Sequence, residues 1–86
     1  MLANDTSIIL QTIYAELQKA NDENIPLTET TDITTDLHVD SLAVMELIFV
    51  LEERFNISIP LNELGDVRTI GQIAQLVESK RLGSAA

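Results

Sequence analysis

Apolar residues recur at helical spacing in three segments of the chain, and no segment shows the strict alternation that is typical of a strand. The apolar stripes are, in order, Ile9, Leu10, Ile13 and Leu17; then Val44, Leu47, Ile48, Leu51 and Phe55; then Ile70, Ile73, Ala74 and Val77. These stripes predict three long amphipathic helices that pack around one core.

Polar residues mark the expected ends of these helices. The candidate N-caps are Asn4, Asp5 or Thr6 for the first helix, Asp40 for the second and Thr69 for the third, where Gln72 completes a capping box. The first helix should fade near residues 21–22, and the second should run from Asp40–Ser41 to about Phe55, before Asn56 and Pro60. Residues 61–64 predict one short helical turn that Gly65 ends, and Lys80 and Arg81 suit the last turn of the third helix.

The stretch from Asn21 to Val39 is long for a connection without regular structure. Leu27, Ile33 and Leu37 are spaced so that they could anchor it to the core at intervals. Threonines and acids between these anchors supply turn chemistry. We therefore expect an ordered crossover in an up-and-down, all-α bundle with three long helices, one short helix and a long first loop.

Length and composition indicate one small domain over residues 1–86, with frayed ends at about 1–4 and 83–86. The chain has no cysteine, so no disulfide or thiolate metal site can hold the fold together. No secretory signal is visible near Met1, and no apolar run approaches the roughly 18 residues of a membrane span. These features predict a cytoplasmic protein, monomeric and without a membrane span.

The charge is strongly acidic, with 14 acidic and 5 basic residues. Between residues 21 and 66 there are eleven acids and one base, Arg54. This field repels nucleic acid and anionic membranes and favours encounter with basic protein surfaces. The alternative is that the acids only keep a small domain in solution, but their position around Ser41 favours partner recruitment.

Ser41 opens the second predicted helix, and nothing near it in the sequence could activate it as a nucleophile. The only histidine, His38, lies three residues upstream on a predicted loop, and no glycine-flanked elbow surrounds the serine. No acid–base pair or phosphate-binding loop can be assembled either, so we do not expect an enzyme. A hydroxyl that is well presented but not activated is better interpreted as an acceptor that another enzyme modifies.

The chain resembles the acyl carrier protein family over nearly its whole length. The motifs that carry the resemblance are Asp40-Ser41-Leu42; Glu46-Leu47; Leu51-Glu52-Glu53 with Phe55; Ile57, Ile59 and Pro60; and Thr69-Ile70-Gly71-Gln72-Ile73. The specificity of the match lies in residues 36–60, because Asp-Ser-Leu alone is a trivial tripeptide.

The resemblance implies a four-helix bundle whose Ser41 receives 4′-phosphopantetheine from coenzyme A through a phosphopantetheinyl transferase. The arm would then carry acyl groups as thioesters in fatty-acid or a specialised acyl or lipid metabolism. A chain without cysteine must obtain its reactive thiol from such a group. The resemblance further implies that Asp40, Glu46, Glu52 and Glu53 recognise acyl-loading and acyl-transferring enzymes with basic docking surfaces.

The aliphatic interior suggests a second use. A set of inward residues could part to admit a medium acyl chain between the second and last helices: Val44, Leu47, Ile48, Leu51, Phe55, Ile59, Ile70 and Ile73. An eight-carbon chain would gain roughly 5 kcal/mol before ordering costs, at about 0.8 kcal/mol per methylene. The alternative is an ordinary packed core without a cavity.

Several residues depart from the family pattern. His38 stands where many members have glycine, Ala43 replaces a commonly acidic residue, and Arg54 adds a positive charge. Met45 and Phe49 are candidate hydrophobic contacts for a partner, unless they fold partly onto the bundle. His38 could contact the prosthetic group, but an exposed loop residue is the simpler interpretation, and no metal site is expected because transition-metal partners for it are lacking.

Two other interpretations remain open from the sequence. The chain could be an aminoacyl, peptidyl or polyketide carrier, since nothing in it specifies the cargo. It could also be an acidic helical adaptor that is never modified.

Overall fold

The computed structural model describes the backbone of residues 5–84 and the side chains of residues 6–81. It contains helix α1 (Asp5–Gln18), helix α2 (Ser41–Phe55), a 3₁₀ turn (Leu61–Leu64) and helix α3 (Ile70–Ser84). The all-α fold class and the three long helices with one short turn are confirmed. The prediction of frayed ends falls largely outside the described residues, as does the candidate cap Asn4.

Helix α1 packs against both α2 and α3, and the predicted stripes supply most of the core. The buried apolar residues are Ile9, Ile13, Leu17, Ile33, Leu37, Leu47, Ile48, Leu51, Ile57, Ile59, Ile70, Ile73, Ala74 and Val77. Leu10, Val44 and Phe55 are only partly buried against this cluster. All four residues of the predicted α3 stripe are therefore buried. The predicted stripes of α1 and α2 contain both fully and partly buried residues.

The helix ends follow local capping chemistry, with one difference from prediction. Helix α1 ends at Gln18, earlier than residues 21–22, because the next amides form tighter turns such as Ala20 N–H to Leu17 C=O at 2.9 Å. The capping box of α3 is confirmed, since Thr69 N–H donates to Gln72 Oε1 at 3.0 Å and Gln72 N–H donates to Thr69 Oγ1 at 3.2 Å.

The crossover from α1 to α2 is ordered and anchored, as predicted. Ile33 and Leu37 are buried in the core and Leu27 packs against it. The buried Asn21 side chain bridges the first turn, donating to Ile25 C=O at 2.8 Å and accepting from Ile25 N–H at 3.0 Å. Thr31 is also buried, and its hydroxyl accepts the Thr28 N–H at 2.9 Å.

The crossover also pairs with the segment that precedes α3. Ile33 N–H donates to Arg68 C=O at 2.9 Å, and Ile70 N–H donates to Thr31 C=O at 3.1 Å. The next amide, Gly71 N–H, donates to Glu29 C=O at 2.8 Å. A side chain at Gly71 would place its Cβ 3.0 Å from that same oxygen, so the two segments would have to move apart by a few tenths of an ångström to admit one.

Candidate functional site

Ser41 is the first residue of α2, and its side chain is exposed. Asp40 precedes it in extended conformation, and its Oδ1 accepts the Ala43 N–H at 2.9 Å. The predicted cap is thus confirmed; it fixes the direction in which the helix starts. Among the residues that the structure describes, the Ser41 hydroxyl makes no hydrogen bond that would occupy or activate it.

The turn before Ser41 contains an unusual backbone conformation at His38. Its φ is +56°, in the left-handed region that glycine adopts without cost and that other residues seldom adopt. This explains why a glycine suits the position and why the turn is less permissive with histidine, as the sequence suggested. The His38 side chain is exposed, in agreement with its interpretation as a loop residue.

The same turn is held by a hydrogen-bonded centre at Asp32. The Asp32 carboxylate accepts the Thr34 hydroxyl at 2.7 Å, the backbone N–H groups of Thr34 and Thr35 at 2.8 and 3.0 Å, and Arg68 Nε at 3.3 Å. Hydrogen bonds from the Thr34 hydroxyl and from the N–H groups of Thr35 and Thr34 hold the pKa of Asp32 well below its usual range, with Arg68 adding to the effect. Sequence reasoning missed this centre.

Because these interactions favour the charged carboxylate, Asp32 stabilises the fold above about pH 4 and loses this role as the pH falls further. We expect Asp32→Asn to lower the melting temperature by several degrees at neutral pH. The difference from the unmodified sequence should shrink in acid, as measured by thermal unfolding followed by circular dichroism. Asp66→Asn, which changes an exposed carboxylate outside this centre, is the control. A difference that is constant with pH would contradict the assignment.

The outward face of α2 carries alternating apolar and acidic side chains. Leu42, Glu46, Phe49 and Glu53 follow one another at three- and four-residue steps and are all exposed. Phe49 is 63 % exposed and Leu42 is 68 % exposed, which is unusual for such large apolar residues. The alternative that Met45 and Phe49 fold partly onto the bundle therefore agrees with the half-buried Met45 but not with the exposed Phe49. Leu42 is a further exposed apolar residue, which sequence reasoning missed.

The remaining predicted contact residues are not equivalent. Asp40 is exposed and Met45 is half-buried. Glu52 is also half-buried, and its Oε2 accepts the Ile59 N–H at 2.8 Å, which ties the end of α2 to the segment that follows it. Glu52 therefore has a structural contact that the sequence did not reveal, and its carboxylate is less available than those of Glu46 and Glu53.

The residues proposed to line an acyl pocket lie in the core. Leu47, Leu51 and Ile70 are fully buried, and Val44 and Phe55 are partly so. Phe55 is further covered by Arg81, whose guanidinium carbon lies 5.6 Å from the ring centroid. Entry of a medium acyl chain would require these side chains to move apart, and it stays a prediction.

Two further observations bear on the chemistry of the site. No group of three His, Asp or Glu residues that could hold a metal ion is present among the described side chains. Within residues 5–84, no helix combines the length and apolar composition that a membrane crossing requires. The site thus consists of an exposed hydroxyl at the start of an acidic helix.

Comparison with known proteins agrees with this geometry. The family model described as "Phosphopantetheine attachment site" matches residues 8–77. The chain belongs to the acyl carrier protein family. It is 37 % identical over 76 residues to a probable acyl carrier protein of Caulobacter vibrioides, covering 88 % of each chain. It is 34 % identical over 79 residues to an acyl carrier protein of Trieres chinensis, covering 92 % of this chain and 96 % of the relative.

Membership of the acyl carrier protein family defines the chemistry. The chain is a non-catalytic carrier that bears covalent 4′-phosphopantetheine, and its family implies interaction with a phosphopantetheinyl transferase and with acyl-handling enzymes. The residues fit the group, because an exposed and unbonded hydroxyl at the start of a capped helix can accept it. The arm supplies the thiol that the sequence lacks.

Proposed function

We propose that Ser41 is the residue that carries 4′-phosphopantetheine. The observation that supports this most is the exposure of its hydroxyl on the rigid, Asp40-capped start of α2. Within residues 8–77, which match the attachment-site model, the sequence has one other serine, Ser58. Ser58 lies between α2 and the 3₁₀ turn, outside any helix.

The attachment residue can be located directly. The chain is incubated with coenzyme A and a phosphopantetheinyl transferase of broad specificity, then digested and analysed by mass spectrometry. We expect one phosphopantetheine, on the peptide that contains Ser41. An arm on the Ser58 peptide, or no arm at all, would contradict the proposal.

We further propose that the outward face of α2 is the docking surface for partner enzymes. Glu46 and Glu53 supply charge on this face, and Asp40 adds charge beside Ser41. Leu42 and Phe49 lie between the acids and suit a shallow apolar pocket on a partner whose rim is basic. The half-buried Met45 borders this face, and Glu52 contributes its charge while holding the Ile59 amide.

Reversing the charge of this surface should slow its recognition by the phosphopantetheinyl transferase. For Glu46→Lys combined with Glu53→Lys, we expect the kcat/KM of the transferase to fall by about 10- to 100-fold at low salt, since electrostatic steering contributes factors of this size. Raising the ionic strength should reduce the difference in kcat/KM between this variant and the original chain.

The matched control is Glu29→Lys combined with Asp66→Lys, which changes the net charge equally at two exposed positions off α2. If the control lost as much activity as the α2 variant, recognition would depend on overall charge, and the proposed surface would be wrong.

We propose that the cargo is an acyl intermediate of fatty-acid or specialised lipid metabolism. We also propose that the protein is a monomer and acts in the cytoplasm. The chain matches most of the length of relatives that are named as acyl carrier proteins, and this favours acyl over aminoacyl cargo. The acidic field supports a preference for protein partners over nucleic acid. Loading of the pantetheinylated chain by candidate acyl synthetases, followed by mass spectrometry, tests this assignment.

A further inference from the structure

A cleft of about 530 Å³ lies beside the start of α2. One wall is formed by residues 19–23, which follow α1, and the other by residues 36–40, with Ala43 completing the lining. A second cleft of about 190 Å³ shares Lys19, Ala20 and Ala43 with the first and continues between α1 and α2. The two clefts therefore adjoin at these three residues, and together they are called the groove.

We infer that this groove is the resting site of the pantetheine arm. The inference rests on the proposed attachment at Ser41, whose neighbours in sequence on both sides, residues 36–40 and Ala43, line the groove. An arm anchored at the edge of a groove samples it at an effective concentration of roughly millimolar or more, so even a weak site is occupied.

The chemistry of the groove suits the arm. Pantetheine offers two amide N–H groups and a hydroxyl as donors, and the groove walls carry carboxylate acceptors in Asp22, Glu23 and Asp36. The arm also has two geminal methyl groups, which can pack against Val39 and Ala43. Burial of two methyl groups favours the docked arm by about tenfold, before the cost of ordering it.

The opposite side of α2 offers less room. Ile48 of α2 and Ile70 and Ile73 of α3 are almost completely buried. Neither the groove nor the separate clefts at Ala15 and at Gly71 are lined by both α2 and α3. The arm therefore reaches the groove beside α1 without displacing any core side chain, whereas the α2–α3 side would have to open.

The absence of cysteine makes a direct test simple, because the arm carries the sole thiol of the modified chain. The pantetheinylated chain is labelled at that thiol with a nitroxide, and line broadening of each backbone amide is measured by NMR. Mass spectrometry first verifies that the arm and the label are present. We expect strong broadening in residues 19–23 and 36–40, and little at Ile70 and Ile73.

Two variants sharpen the test. Ala43→Phe places a large side chain in the groove and should reduce the broadening at residues 19–23 by up to about tenfold, the ratio estimated for the docked arm. Ala15→Phe places the same side chain in a separate cleft beside Val50 and Arg54. It should leave the broadening at residues 19–23 unchanged.

The outcomes separate this inference from the proposal on which it rests. If the arm is attached to Ser41 but broadens Ile70 and Ile73 instead, or if Ala43→Phe has no effect, the resting site is wrong and the carrier function stands. If no arm is found on Ser41, the proposed attachment fails and the resting site fails with it.

Discussion

Ser41→Ala is expected to abolish attachment of phosphopantetheine completely. The transferase must join the phosphate to a hydroxyl oxygen, and alanine offers none. Because the Ser41 side chain is exposed and the Asp40 cap bonds the backbone of Ala43, the variant should fold normally. Intact mass after incubation with coenzyme A and a transferase gives the result: one added phosphopantetheine for the original chain and none for the variant.

The matched control is Ser58→Ala, which removes the other serine of the matched region and also changes an exposed side chain. It should accept the arm as the original chain does. A Ser41→Ala chain with a native circular dichroism spectrum that still gained the arm would show that another residue is the acceptor. The docking surface and the resting groove are both placed relative to Ser41, so both proposals would then fail.

The sequence predicted the helical part of the fold well because each helix is specified locally. The apolar spacing of Ile9, Ile13 and Leu17 suffices to orient α1, and the capping pairs at Asp40 and Thr69 mark the starts of α2 and α3. These signals lie within a few residues of the structure they determine, so no knowledge of the tertiary arrangement is needed.

Features that depend on contacts across the chain were not predictable in this way. The ion pair of Asp32 with Arg68 joins residues that are distant in sequence, and the Glu52 bond to Ile59 depends on how the chain turns after α2. The strained backbone at His38 had one signal, because the resemblance to the family implied a glycine at this position. The exposure of Leu42 could have been found from the helical arrangement, since it lies opposite the buried stripe of α2.

Among substitutions in the core, Leu51→Ala should have a large effect on stability. Leu51 is fully buried within α2, and its loss removes apolar contacts and leaves a cavity between the helices. We expect the free energy of unfolding to fall by about 3 kcal/mol, within the range of 2–5 kcal/mol typical of buried leucines. A domain of this size has a total stability of roughly 5–10 kcal/mol, so the variant should remain folded but unfold at a much lower urea concentration.

Leu42→Ala is the matched control, because it makes the same chemical change in the same helix at a side chain that is 68 % exposed. Its unfolding free energy should change by no more than about 0.5 kcal/mol. Equal losses in the two variants would contradict the packing of α2.

The pair also tests entry of a medium acyl chain: an octanoyl group that fills the core should restore part of the stability that Leu51→Ala loses. An octanoyl group that stays outside the core should leave the difference between the two variants unchanged, since it cannot occupy the cavity.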